Sequence, residues 1–148
     1  RGLLKSLSYN LNLIPSASSY IKKVLILKSL GTHLLLDLEH CDPEILDDLS
    51  QVKVLLMKAA VDCGATVVGE TFFKFRPHGV TGVVSIAESH LCVHTWPEYS
   101  YASVDIFSCG QSFDVEKSAD ILIKGFSCSS PRIKRIERGL EEFRIDKE

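Results

Sequence analysis

Gly79–Ser108 reads GVTGVVSIAESHLCVHTWPEYSYASVDIFS, and this stretch decides the fold. Gly79 to Ile86, Leu91 to Trp96 and Tyr101 to Ser108 read as strands, short and separated by turns. A further strand-like run precedes them at about Thr66 to Phe75. Leu34–Leu38 reads as a first strand and Pro131 to Glu137 as a last one. Asp42-Pro43 supplies an N-cap residue with proline at the first helical position. From there Ile45, Leu46, Leu49, Val52, Leu56, Ala59, Ala60 and Cys63 recur at helical spacing, and Gly64 is placed to end the helix. Asp114 caps a second helix running to about Phe126. Helices segregated against neighbouring strands predict an α+β two-layer sandwich, an antiparallel sheet covered by helices on one face. The other face then needs a cover.

At 148 residues the chain is long enough to bury a core without disulfide or metal staples. Its net charge of −2, with acids and bases nearly balanced, provides no footprint for nucleic acid and no broad attraction to an anionic membrane. A small-molecule or protein partner fits better. Five cysteines, Cys41, Cys63, Cys92, Cys109 and Cys128, are scattered without CxxC spacing. That pattern argues against a secreted disulfide framework and for a reducing compartment, the cytoplasm. Arg1 to Leu36 holds no acidic residue and is serine-rich, yet it has one arginine and no apolar run long enough for a secretory or membrane-spanning segment.

Glu88-Ser89-His90-Leu91-Cys92-Val93-His94-Thr95-Trp96-Pro97-Glu98-Tyr99 packs a hydroxyl nucleophile, imidazoles, a thiol and carboxylates into one short run. A strand chosen for packing alone would alternate apolar residues with inert polar ones. The serine that follows Glu88 is the expected functional centre.

From Lys28 to Gly110 the chain resembles the short, bacterial-type S-adenosylmethionine decarboxylases. The residues carrying the likeness are Lys28-Ser29-Leu30-Gly31-Thr32-His33, Gly64-Ala65-Thr66, Gly79 to Val84, Glu88-Ser89-His90-Leu91, His94 to Tyr99 and Asp105 to Gly110. The resemblance implies a chain that cleaves itself between Glu88 and Ser89 and converts Ser89 into a covalent pyruvoyl cofactor. It also implies that His94 moves protons during self-cleavage, that Cys109 protonates the substrate carbon, that Phe75 stacks on adenine and that Glu98 binds the ribose hydroxyls. Thr81 stands where the family commonly has a serine that supports processing, and Ala87 and Ser100 stand where it usually has serine and glycine. The family's homodimer, whose two sheets pack face to face in four layers with active sites near the interface, is the expected assembly. Residues 1–27 are then a mobile N-terminal extension, and residues 28–148 the decarboxylase-like domain.

The chemistry is consistent with those types. A serine hydroxyl is a weak nucleophile unless it is held against its target and relieved of its proton. Its nearest target is its own backbone: attack of Ser89 Oγ on the Glu88 carbonyl makes an ester, and loss of the Ser89 Cα proton then breaks it. The expected products are residues 1–88 and a pyruvoyl-capped 89–148. In an unbroken strand, Ser89 and His94 point to opposite faces, so a bend or exposed connection is expected at Glu88-Ser89. Other readings stand beside this one. His90, Cys92 and His94 share a strand face and could surround zinc, though without an obvious fourth ligand. The same cofactor could act on arginine or ornithine, or the chain could be an unprocessed, non-enzymatic module. His33 and His90 are as readily structural as functional.

Overall fold

The computed structural model describes residues 26–110, 112–139 and 141–143. They fall into two units, each with its own pairing. In the smaller, β1 (Ile26–Lys28) and β8 (Glu141–Phe143) form an antiparallel pair. The expectation for residues 1–27 lies almost wholly outside the described residues.

The larger unit carries β2 (Gly31–Glu39), α1 (Pro43–Asp47), α2 (Leu49–Val61), β3 (Val67–Lys74), β4 (Val80–Ile86), β5 (Ser89–Trp96), β6 (Tyr101–Ser108), α3 (Val115–Gly125) and β7 (Ser130–Arg138). The strands form one antiparallel sheet in the order β3-β4-β5-β6-β2-β7. Short connections between β3 and β6 keep consecutive strands adjacent, as a meander must.

The helix expected from Asp42 to Gly64 is two helices. Asp42 does cap the first, its side chain accepting from the Glu44 N–H at 2.9 Å. Asp48 interrupts it with an extended backbone (φ −95°, ψ 105°) and caps the second by accepting from the N–H groups of Ser50 and Gln51. An aspartate side chain competes for backbone donors, so the apolar period runs on through a break that the period alone does not reveal. Gly64 ends α2's turn at φ 90°, a conformation that glycine adopts without Cβ strain.

One face of the sheet is covered. Leu34, Leu36 and Leu38 of β2, Val80, Val84 and Ile86 of β4, Leu91 and Val93 of β5 and Val104 and Ile106 of β6 are buried with Val52, Leu56 and Ala59 of α2 and Leu122 of α3. This is the α+β two-layer sandwich that the pattern predicts. The opposite face carries His33, Thr81, Val83, His90, Cys92, His94, Trp96, Asp105 and Phe107, which share register rows across β2, β4, β5 and β6. Val83 and Trp96 there stay exposed at 37% and 39%, and Phe73 on β3 at 57%.

Candidate active site

The candidate residues gather at the two ends of β5. At its start, Ala87 and Glu88 form a two-residue turn between β4 and β5, closed by the pairing of Ile86 with Ser89. Two-residue hairpin turns favour glycine or asparagine, which accept positive φ. Neither is present, and Ser89 itself sits at φ 146°. A serine held there is strained by about 1–3 kcal/mol. The expected bend at Glu88-Ser89 is therefore a hairpin exit, with the irregularity confined to Ser89; β5 pairs without interruption from Ser89 to Trp96.

Several contacts hold the Glu88-Ser89 bond in place. The Cys109 N–H donates to the Glu88 carbonyl oxygen at 2.8 Å. Glu88 Oε2 accepts from the Thr66 N–H at 3.0 Å, and the Ala87 N–H donates to the Thr66 carbonyl at 2.8 Å. The bond from Thr66, with Glu88's own N–H, holds its carboxyl below the usual carboxylate range. A Cβ on Gly110 would lie 2.6 Å from Glu88 Cγ, so glycine there makes room for the side chain. Ser89 Oγ lies 3.2 Å from His90 Nδ1. The Cys109 side chain is exposed.

At the far end of β5, His94 Nδ1 lies 2.8 Å from Thr81 Oγ1 on β4. His94 lines a cavity of about 340 Å³ together with Phe75, His78, Val80, Thr95, Trp96 and Glu98. His78 Nε2 stands 3.3 Å from Glu98 Oε2. The loop bearing Phe75 and His78 is fastened from α1: Asp47 Oδ1 accepts from the Gly79 N–H at 2.8 Å and pairs with Lys74. Those bonds, Lys74's first, pull the Asp47 carboxyl below its ordinary value.

Phe75, Thr81, His94 and Glu98 thus meet around one cavity or its wall, and Glu88, Ser89 and Cys109 meet at the turn. The two groups do not meet within one chain, because five residues of strand separate Ser89 from His94 by roughly 16 Å. Three contacts escape a sequence reading: those of Thr66 with Glu88 and of Asp47 with Gly79, which join residues distant in the chain, and that of His78 with Glu98, which lies in the connection between β5 and β6. Gly110 carries a signal only as a glycine beside Cys109. His90, Cys92 and His94 do alternate along one face of β5, but among the described residues no three donors converge on a metal position. Burial, and then Asp105, push the Cys92 thiol up. Among the described residues no helix is long and apolar enough to cross a membrane.

An antiparallel six-stranded sheet backed by helices has a counterpart among solved structures. The crystal structure of the adenosylmethionine decarboxylase from Aquifex aeolicus superposes with a TM-score of 0.76 at 33% identity, covering 81% of this chain and 99% of that one. In sequence, a model of the S-adenosylmethionine decarboxylase family matches residues 32–139. The S-adenosylmethionine decarboxylase proenzyme of Thermodesulfovibrio yellowstonii is 48% identical over 80% of this chain and 88% of its own length. That of Thermotoga maritima is 44% identical over 76% and 87%. The chain belongs to the S-adenosylmethionine decarboxylase family.

Proposed function

We propose that this protein decarboxylates S-adenosylmethionine, yielding the aminopropyl donor for polyamine synthesis, after cutting itself between Glu88 and Ser89 to leave a pyruvoyl group at position 89. The observation that carries this reading is the turn itself. Ser89 is held at φ 146°, and the carbonyl it must attack already accepts the Cys109 N–H at 2.8 Å. That N–H lies where charge develops on the carbonyl oxygen, the position of an oxyanion donor. Cleavage also relieves the strain at Ser89. These residues suit a covalent ketone at the chain end: it needs no separate binding site, and its neighbours are proton-transfer groups. When present, the ketone draws electrons from a bound amino acid so that its carboxylate can leave.

Substrate binding falls to the cavity. Phe75 presents a ring for adenine, and Glu98 a carboxylate for the ribose hydroxyls. Arginine and ornithine, the substrates of the nearer rival reading, lack the adenosine whose base and ribose would engage this ring and this carboxylate together. Thr81 holds His94, the proposed proton-transfer group of elimination, and the Cys109 thiol protonates the substrate carbon.

The roughly 16 Å between Ser89 and His94 within one chain supports a homodimer. A twofold axis that packs the two uncovered sheet faces together can set each chain's Ser89 against the partner's His94, giving the four-layer assembly. The exposed Val83, Trp96 and Phe73 are apolar surface for that contact. Residues 1–27 are proposed to be an extension outside the decarboxylase-like domain, 28–148. Cysteines that are all free fit a cytoplasmic location.

Denaturing mass spectrometry of the purified full chain tests the reading. Fragments 1–88 and 89–148 are expected, the second blocked to Edman chemistry, with labelled carbon dioxide released from carboxyl-labelled S-adenosylmethionine and not from arginine or ornithine. The Ser89→Ala chain should stay whole and inactive; turnover by that variant would rule the proposal out.

A further inference from the structure

We propose that His90 is the catalytic base of the first maturation step, the attack of Ser89 Oγ on the Glu88 carbonyl. The inference rests on self-cleavage at Glu88-Ser89 as proposed above and adds the residue that starts it. Adjacent residues in a regular strand point to opposite faces, so Ser89 and His90 should be out of each other's reach. They are not: Ser89 Oγ lies 3.2 Å from His90 Nδ1. The φ of 146° at Ser89 departs from strand geometry at the one residue whose hydroxyl must be turned towards the base. His94, by contrast, holds Thr81 at the other end of the strand.

The ring of His90 is held in place. It packs between His33, at 6.3 Å between centroids, and Phe107, at 5.8 Å. Burial pushes His33 down, against the opposing pull of Asp105, so a second positive charge beside His90 is disfavoured when His90 takes a proton. Nucleophile, base and oxyanion donor, Ser89 Oγ, His90 Nδ1 and the Cys109 N–H, then all come from a single chain.

The step balances without water or any co-reactant. The Ser89 Oγ proton passes to His90 Nδ1 as the bond from Oγ to the Glu88 carbonyl carbon forms. Charge on the carbonyl oxygen is met by the Cys109 N–H. The bond between the Glu88 carbon and the Ser89 nitrogen breaks, and the proton on Nδ1 passes to the departing amine. The peptide has become an ester with a free amine. Two histidines thus divide the work: His90 makes the ester within its own chain, and His94 serves the later elimination.

The test follows freshly translated chains in time, with aliquots treated with hydroxylamine, which cuts esters but not peptides. Wild type should cleave. His90→Phe keeps the packed ring, and His90→Asn keeps a polar atom near the Nδ1 position, yet neither can take the proton. Both should mature about 10²- to 10⁴-fold more slowly, with no hydroxylamine-labile bond at 88–89. His94→Ala should stay full-length but be cut there by hydroxylamine. Maturation of either His90 variant at the wild-type rate would overturn the proposal, as would an accumulating ester in them. Should both variants misfold, His90→Gly supplied with free imidazole decides, restored cleavage supporting the proposal and no restoration overturning it. A wild-type chain that never cleaves would instead sink the self-cleavage reading on which the proposal rests.

Discussion

Ser100 ends the short helical turn Pro97–Tyr99 in the left-handed region, φ 49° and ψ 39°. A side chain there costs energy that glycine does not pay, offset in part by glycine's greater freedom in the unfolded chain. Ser100→Gly should therefore stabilise the protein by a few tenths to about 1 kcal/mol, read as a higher denaturant midpoint with an unchanged slope. At Gly110 the sign reverses. A Cβ would meet Glu88 Cγ at 2.6 Å and displace the side chain that positions the Glu88 carbonyl. Gly110→Ala should leave the fold intact and slow self-cleavage by up to about 10²-fold, measured as the fraction of uncut chain over time. The first preference is set by backbone conformation and the second by room for the Glu88 side chain, and only the second is tied to the proposed chemistry.

Among the elements, the β3–β4 connection depends on a helix that is not its neighbour in sequence. Asp47, at the end of α1, binds the Gly79 N–H and Lys74 and so holds the loop that offers Phe75 and His78 to the cavity. Asp47→Asn should raise KM for S-adenosylmethionine severalfold while cleavage proceeds, because loop ordering is paid at binding instead of at folding. The lowered Asp47 carboxyl also sets a pH dependence. A depressed acid stabilises the fold above its unfolded value of about 3.9, and that stabilisation is lost as pH falls through the lowered value. The stability advantage of wild type over Asp47→Asn should thus be present at neutral pH and close on acidification. The interruption at Asp48 belongs to this scale too. Without it, α1 and α2 would be one rod, and Asp47 would point along a helix surface rather than at a loop.

For the whole molecule, the sheet face that the described residues leave exposed and the two separated groups along β5 both bear on the proposed homodimer. If each active site takes Ser89 from one chain and His94 from the other, co-expressing Ser89→Ala with His94→Ala should rebuild one working site per mixed dimer. Neither variant alone should be active. Up to about half of the wild-type sites in mixed dimers should return, read as processed chain and released carbon dioxide; none returning would place both residues in one chain's site. Much of this organisation was legible beforehand. The strand runs around Ser89, the caps at Asp42 and Asp114 and the stop at Gly64 follow from local propensity and periodicity. Phe75, Thr81, His94 and Glu98 were legible through family likeness, and the structure gathers them around one cavity. The contact of His90 with Ser89 was not legible, because neighbouring strand residues are expected on opposite faces.

What the sequence determined by itself was the run of strands in the sheet, the capped helix starts, the buried face and the bond at which cleavage is proposed, since these depend on residues near one another in the chain; the break at Asp48 stayed hidden in an unbroken apolar period. Only the tertiary structure decided where strain falls, which amide meets the Glu88 carbonyl and which imidazole meets Ser89. Those depend on strand register and on contacts such as Thr66 with Glu88 and Cys109 with Glu88. Packing sets such distances to within tenths of an ångström, and chemistry at a single bond is sensitive to displacements on that scale.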